Sequence, residues 1–147
     1  MATRKKASKT STRARRVGQT AFQLAELRFP RGFRVVMGNA RAQAAEMVIP
    51  PGESEGGPRN DHCGSDQWLY VVSGRGWAHV GGETTQLRRG TILLLLRGTR
   101  HEIRSTGPGE LRTFNLYVPP AYTARGVALP RGRPSKVRTG SGPVKHG

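Results

Sequence analysis

The sequence is short of cysteine and of long apolar runs. Cys63 is the only cysteine among 147 residues, which excludes an intrachain disulfide framework and a CxxC metal knuckle. The longest aliphatic run, residues 92–96, is far below the roughly 20 apolar residues of a transmembrane helix. The basic first residues are not followed by an apolar segment, so no secretory signal is predicted. We therefore expect a soluble, cytoplasmic protein that does not contact a membrane.

Acidic residues are absent from both ends of the chain. Residues 1–16 and 120–147 hold 13 of the 25 Lys and Arg residues and none of the nine Asp and Glu residues. The net charge of +16 is therefore mostly a property of the two ends. Neither end carries the large apolar residues that a core needs, so we expect disordered basic tails at 1–19 and 123–147. One folded domain is predicted between them, at 20–122.

The basic tails allow three interpretations. They can act as solubilising tails, or they can bind nucleic acid through its phosphates, without sequence preference and with strong salt dependence. The N-terminal tail has no aromatic residue, so base stacking is not expected there. Its content of Arg, Ser and Thr also fits an organelle transit peptide.

Between the tails, short apolar runs alternate with glycine and proline at spacings near ten residues. This pattern predicts strands at residues 32–37, 42–49, 67–73, 76–80, 83–87, 91–95, 101–105 and 111–118. One helical turn is allowed at residues 22–27, before the first strand. No segment of this region sustains a helical period, so the predicted fold is an all-β sandwich or barrel.

The strand predicted at 67–73 is apolar on both faces. Alternation places Gln67, Leu69 and Val71 on one face, and Trp68, Tyr70 and Val72 on the other. A barrel interior covers one face, but a domain of roughly 100 residues has little material left to cover the second. We therefore expect a homodimer packed through Trp68, Tyr70 and their neighbours, with packing inside the monomer as the alternative.

Two histidines lie near predicted strands. His62 stands in a polar loop before the strand that Gln67 opens, and His101 starts a later strand. Neutral imidazole is the commonest metal-binding side chain. Sequence spacing alone does not bring these two residues together, and a single histidine before a strand is usually an ordinary hydrogen-bonded residue.

Residues 50–122 resemble the cupin superfamily of double-sheet jelly-roll barrels. The first cupin motif, G-x5-H-x-H-x3-4-E-x6-G, is matched in spacing by Asn60, His62, Gln67 and Gly74, while Ser54 replaces its first glycine. The second motif, G-x5-P-x-G-x2-H-x3-N, is matched in spacing by Gly90, Leu96, Gly98, His101 and Ser105. The resemblance implies a cupin-type jelly-roll barrel, or double-stranded β-helix, typical of small single-domain type-2 cupins.

The resemblance also implies a metal site whose ligands are altered here. Cupins bind a divalent metal through two His and one Glu of the first motif and one His of the second. The corresponding residues are Asn60, His62, Gln67 and His101, so only two strong ligands remain. Asp66 and Glu102 point away from this set if the strands alternate regularly. Zn, Mn, Fe and Ni are the candidate ions, held without an anionic protein ligand.

Three functions follow from these observations. In the first, the barrel binds a divalent metal and a small ligand, whose negative charge offsets the charge of the metal. In the second, the same polar groups bind a small molecule without metal, as a ligand-binding or sensing domain. In the third, the protein associates with nucleic acid through its tails. Whether the protein is an enzyme stays open, because a shared fold does not transfer a reaction.

Overall fold

The computed structural model describes residues 22–57 and 62–129, which form an all-β, antiparallel fold without a helix. The strands are β1 Gly32–Gly38, β2 Gln43–Ile49, β3 Ser54–Gly57, β4 Asp66–Ser73, β5 Arg75–Val80, β6 Glu83–Arg88, β7 Ile92–Leu95, β8 His101–Ser105 and β9 Leu111–Val118. The helical turn allowed at residues 22–27 is wrong, because this segment has no helical structure. The tail predicted at 1–19 and residues 130–147 of the tail predicted at 123–147 lie outside the described residues.

The strands form two sheets. The larger sheet has the order β1-β2-β9-β4-β7, and the smaller has the order β3-β8-β5-β6. Neighbours in each sheet pair antiparallel, and strands close in sequence often belong to different sheets, as in a jelly roll. The fold predicted from the sequence is confirmed. No described residues form a helix long and apolar enough to cross a membrane.

The core is built from the inward faces of both sheets. Alternation along each strand turns every second residue inward, as in β4, where Gln67, Leu69 and Val71 are buried and Trp68 and Tyr70 are exposed. The main apolar cluster consists of Met47, Ile49, Leu69, Val71, Ala78, Leu87, Ile103 and Leu111. Among the buried polar side chains of the strands, Gln67 and His101 line the cavity described below.

Strand β3 was not predicted from the sequence. Its four residues, SEGG, include no apolar side chain and two glycines, so neither composition nor alternation indicates a strand. Pairing with β8 defines it, with Glu55 opposite Ile103 and Gly57 opposite His101. Residues directly opposite each other share a face of the sheet, so Glu55 lies on the same side as the buried Ile103.

Strand β5 depends on a glycine at one close approach to β8. A Cβ atom on Gly76 would overlap the carbonyl oxygen of Arg104, which is a backbone atom that cannot move away cheaply. Gly76 is buried, and it pairs with Ser105 on one side and with Leu87 on the other. Glycine here is therefore required by the packing of neighbouring backbones.

A buried carboxylate holds the extended segment before β1. Glu46 is fully buried, and its Oε2 accepts hydrogen bonds from the backbone N–H groups of Arg28 and Phe29 at 3.1 and 3.2 Å. Its Oε1 lies 2.6 Å from Nε of the half-exposed Arg34. Glu46 alternates with the inward-facing Ala45 and Met47 of the core clusters, so residues 28 and 29 lie over the outer face of the large sheet.

Strands β4, β7 and β9 carry six exposed apolar side chains on that outer face. We call this surface the apolar face; its residues are Trp68, Tyr70, Ile92, Leu94, Leu116 and Val118. They are neighbours, since Trp68 stands opposite Leu94 on β7 and opposite Leu116 on β9. Trp68 and Tyr70 are each 42% exposed, so the described residues of one chain do not cover them.

Candidate functional site

A cavity of about 220 Å³ lies between the two sheets. Both sheets contribute to its lining, and the loop before β4 and the segment after β9 complete it. The lining residues are Phe33, Met47, Glu55, Gly56, His62, Gln67, His101, Ile103, Tyr117, Tyr122 and Gly126. An apolar wall with a few polar side chains is the usual construction of a small-molecule site.

Three of the four residues singled out in the sequence share this cavity. His62, Gln67 and His101 come from a loop, from β4 and from β8, and they meet although His62 and His101 are far apart in sequence. Asn60 lies outside the described residues. The structure thus brings the three described residues together, and metal binding by them stays a prediction.

The two imidazoles lie side by side. Their ring centroids are 5.2 Å apart, with an angle of 38° between the ring planes. His101 Nδ1 lies 3.0 Å from the carbonyl oxygen of Thr99. Because a carbonyl only accepts, Nδ1 carries the proton and Nε2 of the neutral ring carries the lone pair. This arrangement of a histidine held by a backbone carbonyl is common in metal sites.

Gln67 presents a buried oxygen without a hydrogen-bond donor. Its Nε2 donates to Oδ1 of Asn115 at 3.0 Å, and Nδ2 of Asn115 donates to Oγ of Thr113 at 3.0 Å. All three residues are buried. Oε1 of Gln67 is left without a partner among the described residues. A buried acceptor in this state is costly, so a donor or cation from outside the protein would stabilise it.

His62 has a strained backbone. Its φ is +39°, a conformation that non-glycine residues rarely adopt, although histidine does so more often than most. Its Nε2 lies 3.4 Å from the hydroxyl of Tyr122, and its ring packs against Tyr117 and Tyr122 at centroid distances of 5.2 and 5.5 Å. These contacts hold the imidazole in the cavity in spite of the unfavourable φ.

Three aromatic side chains form one wall of the cavity. The ring centroid of Phe33 lies 4.5 Å from that of Tyr122 and 6.3 Å from that of Tyr117. The centroids of the two tyrosine rings are 5.1 Å apart, in an edge-to-face arrangement. Burial raises the pKa of Tyr117 well above its ordinary value and also raises the pKa of Tyr122. The carboxylate of Glu55 adds to both increases. The two hydroxyls also hydrogen-bond each other, which raises the pKa of Tyr117 and lowers that of Tyr122, but burial is the largest cause for both groups.

Glu55 and the aromatic wall were missed in the sequence. Glu55 belongs to β3, the strand without an apolar pattern, and lies two residues from Gly57, the partner of His101. Phe33 and Tyr122 stand at opposite ends of the domain, and only the pairing of β1, β2 and β9 brings those ends together. The pairing of β3 with β8 is the one feature that could have indicated Glu55, had β3 been recognised.

The remaining candidates lie away from the cavity. Asp66 turns outward, as predicted, and accepts hydrogen bonds from the backbone and side chain of Arg97, which lower the pKa of its carboxyl group. His79 is exposed, and its Nδ1 lies 2.6 Å from the hydroxyl of Thr84. Cys63 is exposed. Within residues 22–57 and 62–129, no three His, Cys, Asp or Glu side chains form a group that could hold a metal.

The amino-acid sequence matches a known family over about half of its length. Residues 45–117, from β2 to β9, match the family model described as "Cupin domain". A relative from Streptomyces glaucescens, the "Tetracenomycin polyketide synthase protein TcmJ", is 36% identical over 61 residues. That alignment spans 42% of this chain and 40% of the relative, so less than half of the relative is compared.

Solved structures share the fold. A crystal structure from Bacillus halodurans has 26% sequence identity and a TM-score of 0.56, and the match covers 67% of this chain and 76% of that one. A Cupin 2 conserved barrel domain protein from Salinispora arenicola has a TM-score of 0.55 at 16% identity, over 67% of this chain and 89% of its own. At that identity the second likeness shows the fold alone.

Proposed function

Because residues 45–117 of this chain form a cupin domain, we propose that its cavity binds a divalent metal ion together with a small, anionic ligand. His62 and His101 supply the two strong ligands of the metal, and Oε1 of Gln67 supplies a weaker one. Asn60, which comes two residues before His62, is the fourth proposed ligand. Zn, Mn, Fe and Ni all accept imidazole and amide ligands.

The buried oxygen of Gln67 is the observation that carries this proposal. It is an acceptor that no described residue satisfies, in a cavity that also holds two imidazoles. Two imidazoles that share a tetrahedral ion, each nitrogen about 2.0–2.1 Å from it, have ring centroids roughly 5 Å apart. The separation of 5.2 Å between His62 and His101 agrees with that requirement.

The charge of the site favours an anionic ligand. His62, His101 and Gln67 are neutral ligands, so a bound divalent ion keeps its positive charge in an apolar barrel, where uncompensated charge is expensive. Glu55 lines the cavity but is exposed, so it offsets that charge only in part. A carboxylate or phenolate brought by the ligand completes the neutralisation, and the metal when bound supplies the charge that attracts it.

The size of the cavity restricts the ligand. A cavity of about 150 Å³ holds one benzene molecule, so about 220 Å³ holds one ring with one small substituent. Phe33, Tyr117 and Tyr122 provide flat apolar surface for a ring. We therefore propose a ligand of the size of a monocyclic aromatic acid or a short-chain carboxylic acid.

The experiment is metal analysis of tag-free protein, followed by calorimetric titration with each of the four ions. Removal of either imidazole in His62→Ala or His101→Ala is expected to weaken binding by about 100-fold or more, since even indirect partners of metal ligands contribute 10- to 100-fold. His79→Ala is the matched control, because His79 is exposed on the opposite side of its sheet. Equal affinity in all three variants would contradict the proposal.

A metal-free ligand site is the second candidate. Two observations favour a metal-free site. The described part of the chain has no group of three His, Cys, Asp or Glu side chains that could hold a metal. In addition, Nε2 of His62 lies 3.4 Å from the hydroxyl of Tyr122, a contact that a metal on this nitrogen would replace. In that case the imidazoles and the amide bind the ligand by hydrogen bonds alone. Small carboxylic acids should then raise the melting temperature in the presence of excess chelator, and His101→Ala should abolish the increase.

A further inference from the structure

The outer face of the small sheet combines three arginines with an exposed tryptophan. Alternation along β5, β6 and β8 turns Arg75, Arg88 and Arg104 outward, and all three are exposed. Trp77 stands among them on β5, with 36% of its surface exposed. We call these four residues the basic face. They lie on the side of the sheet away from the cavity, so the proposed function does not use them.

The strand register makes the basic face compact. Arg75 stands directly opposite Arg88 on β6, and Trp77 stands directly opposite Arg104 on β8. Directly opposite residues have Cβ atoms about 4.5–5.5 Å apart, and diagonal neighbours about 7–8 Å apart. The three positive charges therefore surround one side of the indole ring within reach of a single extended ligand.

These arginines form no ion pair with a described residue, although Glu102 lies on the same face two residues from Arg104. The ion pairs among the described residues join Arg34 to Glu46, Arg97 to Asp66 and Arg112 to Glu110, and none involves Arg75, Arg88 or Arg104. Like charges directly opposite each other destabilise a sheet. The pair of Arg75 and Arg88 is thus unfavourable for the isolated fold, and a bound anion would offset that cost.

The side chain of Trp77 is partly exposed and lacks an aromatic contact among the described residues. Among the described residues, the aromatic contacts involve Phe33, His62, His101, Tyr117 and Tyr122, and the single cation–π contact joins Arg112 to Phe29. Within residues 22–57 and 62–129, no ring or guanidinium group stacks on the indole. A large exposed aromatic side chain in the interior of a sheet, next to unpaired arginines, is a surface suited to a ligand that is both flat and anionic.

We propose that the basic face binds single-stranded nucleic acid, with one base stacked on Trp77 and the neighbouring phosphates held by Arg75, Arg88 and Arg104. Stacking platforms combined with basic side chains are the general means of binding single strands without sequence preference. A duplex is a poorer fit, because its bases are stacked on one another and do not reach an indole on a flat sheet. The residues at the two ends of the chain add positive charge, and the basic face adds the aromatic platform that the N-terminal segment lacks.

The test measures anisotropy of fluorescein-labelled oligo(dT) and oligo(U) with the full chain at several salt concentrations. The sheet variant carries Arg75→Gln, Arg88→Gln and Arg104→Gln. The control variant carries Arg31→Gln, Arg41→Gln and Arg125→Gln, which removes the same charge from exposed positions outside the strands. The logarithm of the binding constant falls linearly with the logarithm of the salt concentration, and each phosphate contact to a single strand contributes about 0.7 to the size of this slope. The size of the slope should therefore fall by about 2 in the sheet variant. The slope of the control variant should fall by less than 1.

The fluorescence of Trp77 reports binding at the basic face separately from binding at the ends of the chain, because neither end contains a tryptophan. The chain has two tryptophans, so Trp68→Phe leaves Trp77 as the only one. Its fluorescence should be quenched by oligo(dT) or oligo(U) and unchanged by heparin, a polyanion without bases. Trp77→Ala should weaken binding by about 5- to 150-fold, the effect of removing one stacked base. Comparison of oligo(dT) with oligo(U) assigns the preference for DNA or RNA.

Three results would overturn the proposal. The first is an equal loss of affinity in the sheet and control variants, which would assign binding to the overall charge of the chain. The second is unchanged Trp77 fluorescence on saturation with both oligonucleotides. The third is quenching by polyglutamate but by neither oligonucleotide, which would assign the basic face to an acidic protein. Far-UV circular dichroism of each variant verifies that the sheets are intact.

Discussion

Gln67 donates its Nε2–H to Oδ1 of Asn115 over 3.0 Å, so the amide nitrogen is the end of the side chain that the protein satisfies. Asn115 donates in turn to Thr113, and the three side chains form one hydrogen-bonded chain. The buried oxygen of Gln67 is the end that has no partner among the described residues. A residue that looks like a weakened metal ligand in the sequence is thus an oriented acceptor in the structure.

Replacing Gln67 by glutamate should strengthen metal binding. Gln67→Glu supplies the anionic ligand that the site lacks, and we expect affinity for Zn or Mn to rise at least tenfold. Without metal the variant should be less stable, because a buried carboxylate is left uncompensated and loses the donation to Asn115. Calorimetric titration gives the affinity, and thermal melting with and without metal gives the stability.

Gln43→Glu is the control for that variant. Gln43 is also a buried glutamine, but it bonds to the backbone of Tyr122 and does not line the cavity. The substitution should lower stability by a similar amount, and metal should not restore it. Rescue of both variants by metal would show that the effect is not specific to the cavity.

Glu46 should be the most important charged residue for stability. Glu46→Ala removes the acceptor of two backbone N–H groups and the partner of Arg34. We expect a loss of about 2–4 kcal/mol in the free energy of unfolding, since hydrogen bonds to buried charged groups are strong. Urea denaturation measures it. Glu53→Ala, at an exposed position, should change stability by less than about 0.5 kcal/mol, and an equal loss in the two variants would contradict the prediction.

The buried tyrosines predict a loss of stability at high pH. Burial raises the folded-state pKa of Tyr117 and Tyr122 above the unfolded value near 10. The neutral phenols therefore stabilise the fold fully below about pH 10, and this contribution is lost as pH rises through the folded pKa values. Denaturation midpoints measured between pH 8 and 12 should fall above pH 10. Tyr117→Phe should reduce that fall, and a midpoint independent of pH in the wild-type chain would refute the assignment.

The apolar face predicts a homodimer. Trp68 and Tyr70 are each 42% exposed at its centre, and aromatic residues are enriched in the buried cores of interfaces. Light scattering at micromolar concentration should give twice the chain mass of 16.0 kDa. Trp68→Glu should reduce the mass to that of one chain, whereas Trp77→Glu, on the small sheet, should not. A wild-type mass of one chain would contradict the prediction.

Much of the fold could be predicted because apolar alternation marks most strands directly. Eight predicted runs correspond to β1, β2 and β4–β9, with ends that agree to within a residue, and both faces of β4 were assigned correctly. Strand β3 could not be predicted, since the SEGG segment is defined only by its hydrogen bonds to β8. Local pattern carries no information about such pairing.

The site was partly predictable for a different reason. The spacing shared with cupins pointed to His62, Gln67 and His101, and the three meet in one cavity. Phe33, Glu55 and Tyr122 could not be found in this way, because their place in the cavity follows from sheet order and from the unpredicted β3. The burial of Glu46 was also invisible, because its charge suggests an outward position that the segment before β1 covers.

The two outer faces of the sandwich have opposite chemistry and point in opposite directions. The apolar face lies on the large sheet and the basic face on the small sheet, with the core between them. A twofold pair joined through its apolar faces would carry its two basic faces at the far ends of the particle. Such a particle would be bivalent, able to hold two separate strands or two distant stretches of one strand. Linked sites of this kind can exceed the affinity of one site by about 10²- to 10⁴-fold without any new contact.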